Sequence, residues 1–422
     1  MKKLIFGAAA LLFSGAMFAQ NSSTSTQTGD DQRVYVRQAG STLSSDVTQG
    51  NGSGLGSNKA MVWQTGTDNS SAIDQEGTNN QSYVEQGVVF SDPTNNSVVI
   101  NQGKNNTASA DNKARVRQHG GSDSAATINQ DGDLNEASTH QDGTLGTVDI
   151  TQDGTANKSL VLQSLNSYTA TGNAATVDQS GSYNKSYAAQ DGDSNTLYAT
   201  QSDSSNKADQ IQNSEGAAAG NYASVSQSSS DNKARQRQFG GGNSATAVQH
   251  AITGPGVNNY VEQNQWGNDN TAYSDQDGDG GLVRQDQWGN GNDATVDQWA
   301  AGTGNIVYQR QYGDGNTVES GQYGGSDNIV STYQDDYNTG YTSQTGDDNQ
   351  ALLVQKSQGG AGHNASISQS GLGNMANVLQ LGPGGDFNAD AEGCDFQNPQ
   401  ILNCPPPLPE ITIDAPCPAP CI

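Results

Sequence analysis

The chain has 422 residues, a formal net charge of −26, 32% hydrophobic and 6% aromatic content, and 52 glycines. So few apolar residues exclude one large globular core, and the acidic balance excludes a surface built to grip nucleic-acid phosphates. Low hydrophobicity with high net charge also suits a disordered chain, but disorder needs no register, and a register runs here from about residue 31 to 381.

The start is that of an exported protein. Met1-Lys2-Lys3 is basic, Leu4 to Phe13 is apolar and Gly15 to Ala19 is mostly small, so residues 1–19 read as a signal peptide. The apolar run is too short to span a bilayer. Residues 20–30, rich in Ser, Thr and Gln, are expected to form a flexible N-terminal segment.

Residues 31–381 repeat one unit: Asn, five residues, Gln, then commonly Gly after one more residue. It is seen at Asn58 to Gln64, Asn69 to Gln75, Asn80 to Gln86, Asn135 to Gln141, Asn173 to Gln179, Asn184 to Gln190 and Asn195 to Gln201. It returns at Asn270 to Gln276, Asn292 to Gln298, Asn316 to Gln322, Asn349 to Gln355 and Asn374 to Gln380. Number the unit from Asn at one to Gln at seven. Positions three and five are small or β-branched, as in Ala60 and Val62, while two, four and six vary, as in Lys59, Met61 and Trp63. Alternation of this kind marks a strand with one buried face. The residues between units, such as Asp191-Gly192-Asp193-Ser194, are turn formers. Recurrent Gly and an apolar spacing of two exclude a right-handed coiled coil.

Two strands and two turns make a coil of about 22 residues, and a fixed period signals stacked units. The expected fold is all-β: a two-sheet, cross-β-like solenoid of roughly 14 coils at about 4.8 Å per coil. About 29 strand units are counted when variants starting at Gln32, Leu43, Ser124, Gly146, Gly281 and His363 are included. Buried Asn and Gln from successive coils are expected to bond to one another, because an amide carries both donor and acceptor. Trp266, Trp288 and Tyr312 recur at one turn position and predict an aromatic ladder, with Trp299 and Tyr323 on the other edge.

Two blocks, residues 112–118 and 232–238, are basic. Alternation puts Lys113, Arg115, Arg117, Lys233, Arg235 and Arg237 outward, either to discourage sideways pairing of sheets or to hold acidic polysaccharide. The four histidines, His119, His140, His250 and His363, fall in different repeats, and no catalytic set, phosphate loop, cofactor motif or metal cluster stands out. Asp-Gly pairs such as Asp131-Gly132 read as solvated turns rather than calcium sites. The tail, residues 382–422, is Pro-rich and holds Cys394, Cys404, Cys417 and Cys421, which suggest two disulfides of open connectivity and a cap or tether role.

The pattern Asn-x5-Gln-x-Gly-x2-Asn resembles the curlin repeat of curli subunits. The resemblance implies a secreted β-solenoid that polymerises outside a Gram-negative cell for adhesion and biofilm matrix. It also implies export through an outer-membrane channel and nucleation by a partner subunit. Departures are the length of the array, Asn where the family mostly has Ser, stretched turns such as Gln86 to Asn96, and the Cys-rich tail. These leave open whether the chain is a major or a nucleating subunit. The expected partners are further copies of the chain, that channel and nucleator, and matrix polysaccharide. The competing expectation is a monomeric solenoid binding module of the ice-binding or adhesin type.

Overall fold

The computed structural model describes residues 20–50, 56–87, 93–103, 109–164, 170–214, 216–217, 219–250, 256–299, 302–357 and 362–382. Residues 1–19, expected to be a signal peptide, and the four tail cysteines lie outside the described residues. Among the described residues there is no helix; thirty strands run from β1 (Ser22–Gln27) to β30 (Met375–Leu381). Odd-numbered strands form one fifteen-stranded parallel sheet, here sheet A, and even-numbered strands form a second, sheet B. Each coil contributes one strand to each sheet, so the chain is a two-sheet β-solenoid. Fifteen strands stacked at ~4.8 Å span about 67 Å.

Register is set by the buried face. Every strand aligns its closing Gln with the Gln of the strands above and below, as in Gln38, Gln64 and Gln86. A slip of one residue would turn that face outward. The step between stacked glutamines varies from 21 residues (Gln334 to Gln355) to 32 (Gln86 to Gln118). Stretched turns absorb the surplus without disturbing the strands. Positions three and five of the two sheets face each other across a thin core. Val62, Val84, Ile100, Val116, Ile128, Ile150 and Val161 are fully buried there.

The turn before each unit has a fixed backbone habit. The residue preceding the first position adopts positive φ, as at Asp68 (56°), Asn79 (56°), Asp111 (57°) and Asp269 (56°). Asp and Asn tolerate this region best after Gly. Leu134 (60°) and Tyr183 (60°) occupy the same slot without that tolerance. Gly132, Gly154 and Gly181 stack at the other end of the strand, where a Cβ on Gly132 would collide with the Gly154 carbonyl.

One expectation is corrected. Residues 20–30 are not a flexible segment throughout: Ser22–Gln27 is β1, paired in register with β3 (Ser44–Gln49). Asn21 to Gln27 is itself a repeat unit, and Asn21 Oδ1 accepts from the Leu43 N–H at 3.1 Å. Its inner positions are Ser23 and Ser25 rather than apolar residues, which hid the strand pattern.

Candidate functional site

The site is the interior column of amides and the edges it ends on. In sheet B an unbroken chain of hydrogen bonds runs from Gln38 to Gln64, Gln86, Gln118, Gln141, Gln163, Gln190, Gln212, Gln238, Gln265, Gln287, Gln311, Gln334, Gln355 and Gln380. In sheet A a matching chain runs from Gln27 through Gln49, Gln75, Gln102, Gln130, Gln152, Gln179, Gln201, Gln227, Gln249, Gln276, Gln298, Gln322 and Gln344 to Gln369. In both, Nε2 of one coil donates to Oε1 of the next. The second Nε2 hydrogen goes mostly to a backbone carbonyl across the core, as from Gln141 to Ala125 O at 3.2 Å. Donor and acceptor are therefore both met at full burial, where an unmet amide costs roughly 1–3 kcal/mol.

The asparagines do a different job from the one expected. Asn58 Oδ1 accepts from the Asn80 backbone N–H at 2.9 Å, and its Nδ2 donates to Gly77 O at 3.1 Å. Asn135, Asn173 and Asn195 repeat this pattern with Asn157, Asn195 and Asn221. Asn is thus a clamp from strand start to the next coil's backbone. Among the described strand-start asparagines, direct side-chain bonds join the later coils in two columns, Asn221 through Asn243, Asn270 and Asn292 to Asn316, and Asn305 through Asn328 and Asn349 to Asn374.

A second interior ladder was missed from the sequence. Gln210, Gln236, Gln263, Gln285 and Gln309 stand at position five, where small or β-branched residues were expected. They bond in series at 2.8–2.9 Å, and Gln309 Nε2 ends the run on Ser320 Oγ at 2.9 Å. Their spacing of one coil, or two repeats, was a signal available in the sequence.

Aromatic rings stack along one edge of sheet B. Trp266 and Trp288 lie 4.9 Å apart at 2°, and Trp288 and Tyr312 lie 4.6 Å apart at 5°. Phe239 extends the stack below (6.1 Å, 8°), and Tyr333 meets Tyr312 at a tilt (5.5 Å, 36°). Trp299 and Tyr323 are register partners with exposed rings, and among the described residues no ring stack joins them.

The basic blocks are not fully outward. Arg115 is only 8% exposed, lying 5.2 Å over the Tyr83 ring, and Arg235 pairs with Asp209 at 3.1 Å while 6% exposed. Long side chains on the outer face of sheet B bury one another along the stack. Stacking also brings His119, His140 and Asp142 together, with one ligand atom from each within 4.8 Å of the others. The rings meet edge to face at 4.9 Å. A tetrahedral zinc shell needs ligand atoms about 3.3 Å apart. His140 instead faces Asp142 at 3.1 Å and His119 faces Glu85 at 3.4 Å. As placed, this is a cluster of histidine–carboxylate contacts rather than a formed metal centre. Burial opposes ionisation of Glu85, but bonds from His119 and Tyr83 and the charges of His119 and Arg117 hold its carboxyl below the ordinary range.

Three stretches, residues 56–87, 121–154 and 170–202, match the curlin associated repeat. These three stretches carry curlin associated repeats. Each matched stretch covers complete strand–turn–strand units: residues 56–87, for example, hold Lys59–Thr67, Ser70–Gln75 and Gln81–Gln86. No curated protein matches the chain. The curlin repeats and the solenoid together fit a curli-like structural protein.

Proposed function

We propose that this chain is a secreted subunit that stacks end to end into curli-like amyloid fibres at the surface of a Gram-negative bacterium, serving adhesion and biofilm matrix. A nucleating subunit and an outer-membrane channel are its proposed assembly and export partners. The observation that carries the reading is the polarity of the amide ladders. Every Gln donates forward along the chain, so the last coil ends on donors. Gln369 and Gln380 each give one hydrogen to a backbone carbonyl, of Gln350 and Asn364 respectively. Among the described residues no further coil takes the other. The first coil ends on the Oε1 acceptors of Gln27 and Gln38. Among the described residues, strands β1 and β30 also leave one backbone edge each unpaired, and such an edge templates another strand. Donor end meets acceptor end, so a second copy continues both ladders without a break.

The test is to incubate residues 20–422 at micromolar concentration, follow thioflavin fluorescence and record fibre diffraction. Seeded growth and a meridional reflection near 4.8 Å are expected. A stable, soluble β-rich rod that ignores seeds would overturn the proposal and favour a monomeric binding module.

A further inference from the structure

Charge is sorted by sheet. The strands of sheet B carry fifteen Lys and Arg against six Asp and Glu; the strands of sheet A carry twelve Asp and Glu and no Lys or Arg, with His250 facing Asp275 at 2.7 Å. In a chain with a net charge of −26, one broad face is therefore basic. Five of the six sheet B acids are already answered within the face. Arg117 meets Glu85, Lys113 and Lys158 meet Glu136, Arg235 meets Asp209, and Arg284 meets Asp286 and Glu262. What remains on that face is an excess of cations.

The excess is concentrated. Lys158, Lys185, Lys207 and Lys233 are register partners in four successive coils, so four ammonium groups rise in one column at ~4.8 Å per coil. Sheet A has the opposite column. Asp275 and Asp297 are register partners, and Asp149 stands one coil from Asp178. Like charges on neighbouring strands destabilise a sheet. Burial and the adjacent Asp178 push the Asp149 carboxyl above its ordinary range; burial, Asp275 and Glu319 do the same to Asp297. Sheet A thus holds repulsion that the surplus cations of sheet B would relieve.

We propose that rods associate side by side, the sheet A face of one copy against the sheet B face of the next. This concerns the sides of the rod and stands whether or not the ends stack. Two rods of one sequence share one rise per coil, so their columns stay matched along the whole length. Sideways translation without stagger brings Asp149 level with Lys158, Asp178 with Lys185, Asp275 with Arg284, and Asp297 with Arg310, because each pair belongs to one coil. A face about 67 Å long and ~20 Å wide offers about 1,300 Å² per partner, above the ~800 Å² of an ordinary specific interface. The interface joins unlike faces, so it does not close and adds rods indefinitely.

The test uses three preparations of the mature chain, with circular dichroism checking that each keeps its β content. One carries Lys158→Glu, Lys185→Glu, Lys207→Glu and Lys233→Glu; a second carries Asp149→Lys, Asp178→Lys, Asp275→Lys and Asp297→Lys; the third is unaltered. Lateral width is read by electron microscopy and by small-angle X-ray cross-section. The unaltered chain is expected to form multi-rod bundles that separate between 0.05 and 0.5 M salt, as exposed charges become screened. Each variant alone is expected to give single rods, and an equimolar mixture of the two to bundle again. Equal width for all three preparations at both salts would overturn the proposal. So would loss of polygalacturonate retention by the lysine variant with bundle width unchanged, which would assign the basic face to a polysaccharide.

Discussion

At the scale of single residues, the molecule is held by amides whose partners lie one coil away. Gln141 receives from Gln118 at 2.9 Å and gives to Gln163 at 2.9 Å. Gln141→Leu leaves a donor and an acceptor unmet in the core, so a loss of about 3 kcal/mol is expected. Gln38→Leu, at the open first coil, removes bonds to Gln64 and to the Ser22 carbonyl and should cost under ~1 kcal/mol, because water reaches this coil and replaces the missing partner. Urea unfolding of the monomer checks both, and equal losses would refute the ladder as a source of stability. The turn slot gives a change of opposite sign. Leu134 and Tyr183 hold φ of 60° with side chains 53% and 61% exposed. Replacing each by Asn should raise stability by ~1 kcal/mol, since little burial is lost and left-handed strain falls. A fall in the urea midpoint would sink that account.

At the scale of strands and ladders, the sequence was legible where period and chemistry coincide. Val62 between Ala60 and Gln64 alternates cleanly, and so do most strands; Asn21 to Gln27 does not advertise itself, because Ser23 and Ser25 are inside. The larger loss came from pooling all repeats together. Consecutive repeats lie on opposite sheets, and alternate repeats are neighbours. His119 and His140 look remote in the chain yet touch, since their repeats are two apart. The same parity separates every described Lys and Arg onto sheet B. The Trp266–Trp288–Tyr312 stack obeys it too. Two parallel indoles at 4.9 Å should give an exciton couplet in the near-ultraviolet circular dichroism. Trp288→Phe should abolish the couplet and cost ~1 kcal/mol, whereas Trp299→Phe, 52% exposed and unstacked, should leave it intact. A couplet that survives Trp288→Phe would disprove the stack.

The two sheets should also answer acid in opposite ways. Burial, and Asp178 or Glu319 beside them, raise Asp149 and Asp293 above the ordinary 3.8. Their ionised forms weaken the fold at neutral pH, and that penalty disappears as pH falls through the raised values. On sheet B, burial opposes ionisation of Glu136, but Lys158 and Lys113 outweigh it and hold its carboxyl below the ordinary 4.5. Its contribution is present above 4.5 and lost as pH falls through the lowered value. Stability should therefore rise on mild acidification and fall again once Glu85 and Glu136 take protons. Asp178→Asn should raise stability at pH 7 by ~0.5 kcal/mol and flatten the first limb. A stability that falls monotonically from pH 7 would contradict this assignment.

At the scale of the whole molecule, the rod has two unlike ends, and every end-to-end contact in a fibre must use one of each. The N–H groups of Ser22 and Arg33 donate inward to Leu43 and Asn58, so Ser25 and Val36, an odd number of residues along, face the open edge. Ser25→Pro with Val36→Pro removes backbone donors from that edge and blocks it, at ~3 kcal/mol or more per proline for any strand added there. Ser366→Pro with Asn377→Pro does the same for the last coil. Neither variant should polymerise alone, because each lacks one of the two ends that a growing contact requires. Mixed in equal amounts, they retain one sound donor end and one sound acceptor end between them. The expected product is a two-rod species and nothing longer, which mass photometry resolves. Fibres from either variant alone would mean that like ends can meet, and the direction of the glutamine ladders would then have no bearing on growth.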